Sequence, residues 1–95
     1  MRLYDFKRGH RKSLEEIAGI MEELFGGVKR EGEHLVASFG TLERIEVWLE
    51  GSKMAATTSA RREGDAQKTL KRWNEFLYRV TGYTAKERKK KMTKV

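Results

Sequence analysis

The sequence predicts a single α+β domain: a mostly antiparallel five-stranded sheet with two helices on one face, in the order β-α-β-β-β-β-α, then a short basic C-terminal helix. Three observations predict it. Leu42 to Glu50, LERIEVWLE, alternates apolar and charged residues with the period of a half-buried strand, Ile45, Val47 and Leu49 on one side and Arg44, Glu46 and Trp48 on the other. Two other segments repeat apolar residues at helical spacing, so each has one face to lay on such a sheet. Glycine-centred turns at Gly32–Glu33, Gly40–Thr41 and Gly51–Ser52 divide the stretch between them into a meander.

In chain order, residues 2–8 alternate with Tyr4 and Phe6 on one side, a short first strand with Arg2 and Arg8 at its ends. Ser13 and Glu16 form a capping box for a helix over about 14–25, whose apolar face is Leu14, Ile17, Ala18, Met21, Leu24 and Phe25. Gly26 and Gly27 stop it. Strands follow near 28–31, 34–39, 42–50 and 53–59. A two-residue loop at Gly40–Thr41 with regular pairing would set Val36 opposite Ile45 and split the apolar residues between two faces. A three-residue loop, or a bulge, instead pairs Ala37 with Ile45 and Leu35 with Val47, and the longer loop is the expectation. The next hairpin pairs Leu49 with Met54 and Val47 with Ala56 without adjustment. Asp65 caps the second helix, whose stripe is Ala66, Leu70, Trp73, Phe76, Leu77 and Val80, and Gly82 ends it. Thr84 and Glu87 make a second capping box, so the tail begins as a helix. The joining point of the first strand is not determined.

At 95 residues nearly every apolar side chain is needed for packing, since small chains bury a small fraction of their surface. The chain is 38% apolar and 37% charged, the latter well above the roughly 25% of an average globular protein. Without cysteine it has no disulfide, no thiolate nucleophile and no cysteine zinc site. No apolar run approaches the ~18 residues of a membrane span, and MRLYDFKRGH lacks the apolar centre of a secretory signal, so a cytoplasmic protein without a membrane partner is expected. Lys86 to Lys94 holds six basic residues and one acid, +5 of the net +7, which divides the chain into a nearly balanced domain (1–85) and a basic tail (86–95).

KRGH at Lys7–His10, LERIEVWLEG from Leu42, and TGYTAKERKKK from Thr81 resemble a family of small, uncharacterised archaeal proteins of this length. The likeness spans nearly the whole chain. It implies an archaeal, cytoplasmic source and brings no functional residue with it.

Three constellations merit weighing. The cations Lys86, Arg88, Lys89, Lys90 and Lys91 have the chemistry to bind a nucleic-acid backbone by displacing condensed counterions; the bland reading is a solvated terminus that keeps the protein soluble. Lys7, Arg8, His10, Arg11 and Lys12 precede the first helix, whose free backbone donors favour anions, and Arg11 and Lys12 can assist the tail. Against an anion pocket there, Ser13 takes the cap and Glu15 and Glu16 already supply negative charge. Trp48 belongs to the sheet face away from the helices, between His34 and Ala55 with Arg44 nearby. Glu43, Glu46 and Glu50 would repel phosphate, so Trp48, with His34 and Arg44, is read as a homodimer or protein interface, or as simple packing, rather than a base-stacking platform. His10 and His34 have no route to each other, and no metal, nucleotide-binding or nucleophile motif is present. Neither an enzyme nor a cofactor is expected.

Overall fold

The computed structural model describes residues 2–60, 64–84 and 86–87. The elements follow the expected order: β1 (Arg2–Asp5), α1 (Leu14–Phe25), β2 (Lys29–Glu31), β3 (His34–Phe39), β4 (Leu42–Glu50), β5 (Lys53–Ala60) and α2 (Ala66–Thr81). All strand pairs are antiparallel, in the spatial order β1-β5-β4-β3-β2. The first strand therefore joins the sheet beside the last, which leaves the short, charged β1 and β2 as its edges. Charge and brevity at an edge resist pairing with another chain.

Register decides the core. Ala37 pairs with Ile45, Leu35 with Val47, Val47 with Ala56 and Leu49 with Met54, as the apolar pattern required. The device differs from the expected longer loop. Phe39 pairs with Leu42 across the two-residue turn Gly40–Thr41, and β4 then carries one extra residue at Glu43–Arg44 relative to both β3 and β5. This bulge moves the following residues by one position, and a one-residue step exchanges the faces of a strand.

The helix-facing side so assembled contains Tyr4, Leu35, Ile45, Val47, Met54 and Ala56, closed by Ile17 and Met21 of α1 and Phe76, Leu77 and Val80 of α2. Each large apolar side chain fully removed from water contributes about 1.5–3 kcal/mol. Phe25 links the layers, with ring centroids 5.2 Å from Phe76, 5.9 Å from Phe39 and 6.4 Å from Trp73.

Helix ends form as the capping residues dictate. Ser13 Oγ accepts from Glu16 N, and Asp65 Oδ1 from Lys68 N. Gly26 and Gly82 take the left-handed conformation at φ 81° and 82°. The apolar stripe of α2 is narrower than expected. Trp73 is half-buried rather than core, and Leu70 is 59% exposed. The buried line runs through Thr69, Trp73, Phe76 and Val80, and at about 100° per residue Leu70 falls on its margin. Thr69 takes the central place because of its hydroxyl, which donates to Asp65 O (2.8 Å) and accepts from Thr41 N (2.9 Å). That bond ties α2 to the β3–β4 turn.

Gly40 makes the contact possible. Its φ is +55°, and a Cβ there would lie 2.0 Å from Thr69 Oγ1, whereas a Cβ on Gly26 would meet nothing within 4 Å. Both alanine substitutions incur the left-handed backbone cost, and only one adds overlap. Chemical denaturation should therefore show Gly26→Ala losing about 1 kcal/mol and Gly40→Ala about 3 kcal/mol. Equal losses would mean that the turn does not bear on α2.

Candidate functional site

Two basic segments distant in sequence meet at one end of the sheet. β1 stops at Asp5, short of the expected Arg8, because the chain turns toward the end of α2, where Lys7 N donates to Thr81 O (2.7 Å). A tight turn with Gly9 at φ 80° follows, closed by His10 N donating to Lys7 O (2.8 Å). Gly82 serves twice here. It ends α2, its N–H donating to Tyr78 O (2.8 Å), and its missing side chain admits the loop: a Cβ would lie 2.6 Å from His10 Nδ1 and 3.0 Å from Lys7 Cβ. The chain then enters the second capping box. Thr84 N donates to Glu87 Oε1 (3.0 Å) and Glu87 N to Thr84 Oγ1 (3.2 Å), with Lys86 and Glu87 helical. The Thr84 hydrogen bonds hold Glu87 below its usual carboxylate range, with a smaller contribution from the charge of Lys7.

This end gathers Lys7, Arg8, Arg11 and Lys12 of the loop with Lys86 of the tail. Arg11 Nη2 donates to Gly51 O (3.5 Å) and Lys12 Nζ to His10 O (3.0 Å), so both reach backbone carbonyls. Among the described residues, none of these five cations lies in a salt bridge. Elsewhere four cations do: Arg30 pairs with Glu15, Arg44 with Glu46 and Glu31, Lys53 with Asp5, and Arg79 with Glu23, while Arg2, Lys29, Lys68, Lys71 and Arg72 lie in no salt bridge among the described residues. Arg88, Lys89, Lys90 and Lys91 fall outside the described residues. Loop 7–12 has four basic residues and no acid, and 86–94 six basic and one acid, so the remainder of the chain is net −2. The first turn of α1 is not itself an anion cradle. Ser13 caps it, and its own backbone hydrogen bond, then Arg30, holds Glu15 below the ordinary carboxylate range.

The open face of the sheet carries the second constellation. Cross-strand pairing lines up Leu3, Ala55, Trp48 and His34 over four strands, as the register argument placed the last three. Trp48 and His34 stack at 4.5 Å and 4°, and Ala55 beneath the row is fully buried. The flanking charges are tied within the face. His34 Nδ1 bonds Glu46 Oε2, Arg44 Nη2 donates to Glu46 Oε1 (3.0 Å), and Trp48 Nε1 donates to Glu50 Oε2 (2.9 Å). The hydrogen bond from His34, then that from Arg44, holds Glu46 below its ordinary value. An ionised carboxylate only accepts, so the proton of that bond is on His34 Nδ1.

Sequence reasoning found Trp48, His34 and Arg44 as a unit, since strand register brings them together. It grouped Arg11 and Lys12 with the tail by charge but did not find the packing of loop 7–12 on Gly82, because no local signal reports a loop packed on the far end of a helix.

A family model described as a domain of unknown function (DUF5611) matches residues 1–94, basic tail included. The chain belongs to this family. It is similar in structure to the hypothetical protein TA0095 from Thermoplasma acidophilum, solved by NMR in solution, with TM-score 0.77, 35% identity and 100% of both chains covered. That relative is archaeal, in keeping with the likeness noted in the sequence. No curated protein matches. No described helix is long and apolar enough to cross a membrane, and among the described residues no three His, Asp or Glu side chains gather to hold a metal.

The depressed value of Glu46 carries a sign. A carboxylate whose folded value lies below its unfolded one stabilises the fold above the unfolded value, and that stability is lost as pH falls through the folded value. Melting temperature measured from about pH 6 down to pH 3 should therefore fall less steeply for Glu46→Gln than for the native chain. Identical profiles would show that the His34–Glu46–Arg44 network does not contribute.

Proposed function

We propose that this protein is a non-enzymatic accessory factor that binds the phosphate backbone of nucleic acid without sequence preference. The surface is the cationic end formed by loop 7–12 and the tail. The observation that carries this reading is the concentration of positive charge: loop 7–12 has four basic residues and no acid, it packs against Gly82 at the root of the tail, and among the described residues none of its cations nor Lys86 is in a salt bridge, whereas Arg30, Arg44, Lys53 and Arg79 are. A cation already paired with a carboxylate releases no counterion when a phosphate arrives, whereas one paired only with salt does. Tail and loop then act as one contact area, with Arg11 and Lys12 on the folded part and Lys86, Arg88, Lys89, Lys90 and Lys91 extending it. Truncation after Ala85 should weaken binding to mixed nucleic acids and lower the slope of log K against log salt by several units; Arg11→Glu/Lys12→Glu should lower it by about two. Low-salt binding that neither change affects would overturn the reading.

A second reading concerns the open face and rests on the row Leu3–Ala55–Trp48–His34. Its neighbouring charges are already internally paired, which reduces the cost of covering the face with protein. We infer a homodimer or protein partner there. Sedimentation should show association in the native chain and a monomer in Trp48→Glu; a monomer in both would remove the interface.

A further inference from the structure

Leu70 lies beside a groove that the polyanion reading does not use. Two adjoining cavities of about 430 and 280 Å³ run along the N-terminal half of α2, between that helix and the β1–β5 edge of the sheet, and they share Thr58 and Trp73. Cavities of this size accept small molecules. Tyr4 and Ala56 line the larger, and Leu42 and Leu70 the smaller. Trp73 spans both, half-buried, its ring packed 5.3 Å from Phe76.

The groove exists because of two placements already described. Thr69 takes the central buried position of α2, which turns Leu70 to the margin, and β5 puts Ala56 and Thr58, small side chains, beneath the helix on its core-facing side.

Charge narrows the occupant. Among the described residues, those lining the two cavities include one charged side chain, Arg2, and no carboxylate. Arg2 stands at the β1 end, opposite Ala56 in register, and its side chain makes no salt bridge or hydrogen bond among the described residues. We propose that the groove binds a small amphiphilic anion, an apolar body with a single acidic head group. The body lies along Leu42, Leu70 and Trp73, and the head group takes a charge-assisted bond from the Arg2 guanidinium.

The test uses the full chain with Trp48→Phe, which leaves Trp73 as the one tryptophan of the two in the sequence. Titration with decanoate should give a saturable shift of Trp73 emission. Arg2→Ala should raise Kd about tenfold and Arg2→Lys recover most of that loss; decanol should bind as weakly as decanoate binds the Arg2→Ala protein. Leu70→Asp should abolish the response with an unchanged melting temperature, since the side chain is exposed, and Leu70→Ala should weaken it. The proposal is overturned by no saturable response up to about millimolar decanoate, by an Arg2→Ala protein that binds as the parent does, or by decanol binding as tightly as decanoate. None of these results bears on the salt-dependent binding expected of the opposite end.

Discussion

One extra residue in the central strand sets what every face of this protein presents. Strand side chains alternate, so Ile45, Val47 and Leu49 share a side with Leu35 and Ala37 only if β4 gains a position between the Gly40 turn and Ile45. The bulge at Glu43–Arg44 supplies it, for β3 and β5 together. Without it, either the core divides or the turn must lengthen. A longer turn would move Gly40 and Thr41 away from Thr69, and with them the hydrogen bond that fixes α2 against the sheet. The same step puts Arg44, Glu46 and Trp48 on the open face, next to His34. Core and open face are thus two outcomes of one displacement.

The opposite end depends on a missing side chain. Gly82 ends α2 by adopting a conformation that other residues resist, and the space above it is filled by the His10 ring and Lys7 Cβ. Loop 7–12 is anchored there by its backbone, through Lys7 N to Thr81 O, while its Arg11 and Lys12 side chains reach backbone carbonyls. Near the loop cations, Glu87 accepts from the backbone and hydroxyl of Thr84. The sequence suggested a balanced body and a cationic appendage. The structure refines this, because the body divides in turn into a net acidic part and a basic loop beside the root of the tail.

How much of this was legible follows from the range of the interactions. Element order, caps and sheet register were readable because they rest on periodicity and on contacts a few residues apart, or on pairing that the apolar pattern makes unique. Trp48 opposite His34 and Ala55 is a register consequence and was read correctly. The form of the correction between Gly40 and Ile45 was not, because a bulge and a longer loop give the same pairing downstream and differ only in contacts with α2, which no local pattern encodes. Leu70 and Trp73 were read as core for a related reason. An apolar stripe fixes the approximate direction of a helix, but its exact rotation here is set by a polar residue, Thr69, whose value lies in one hydrogen bond to a distant turn. The place of β1 beside β5 was likewise beyond periodicity, and with it the groove that β1 helps to form.

These placements bear on how the surfaces divide their work. The open face holds Glu31, Glu46 and Glu50 around the Trp48–His34 stack, and Glu46 stays ionised through its bonds to His34 and Arg44. A phosphate approaching that face meets carboxylates within a few ångströms of each cation, where attraction and repulsion largely cancel. At the Gly82 end none of the described cations is in a salt bridge, and Arg11, bonded to the Gly51 carbonyl, continues the cationic surface toward the β4–β5 turn. A polyanion held there would run across the end of the sheet instead of over its face. On the proposed reading, the stacked aromatic row would stay open to a protein partner while nucleic acid is bound, and the two surfaces would not compete.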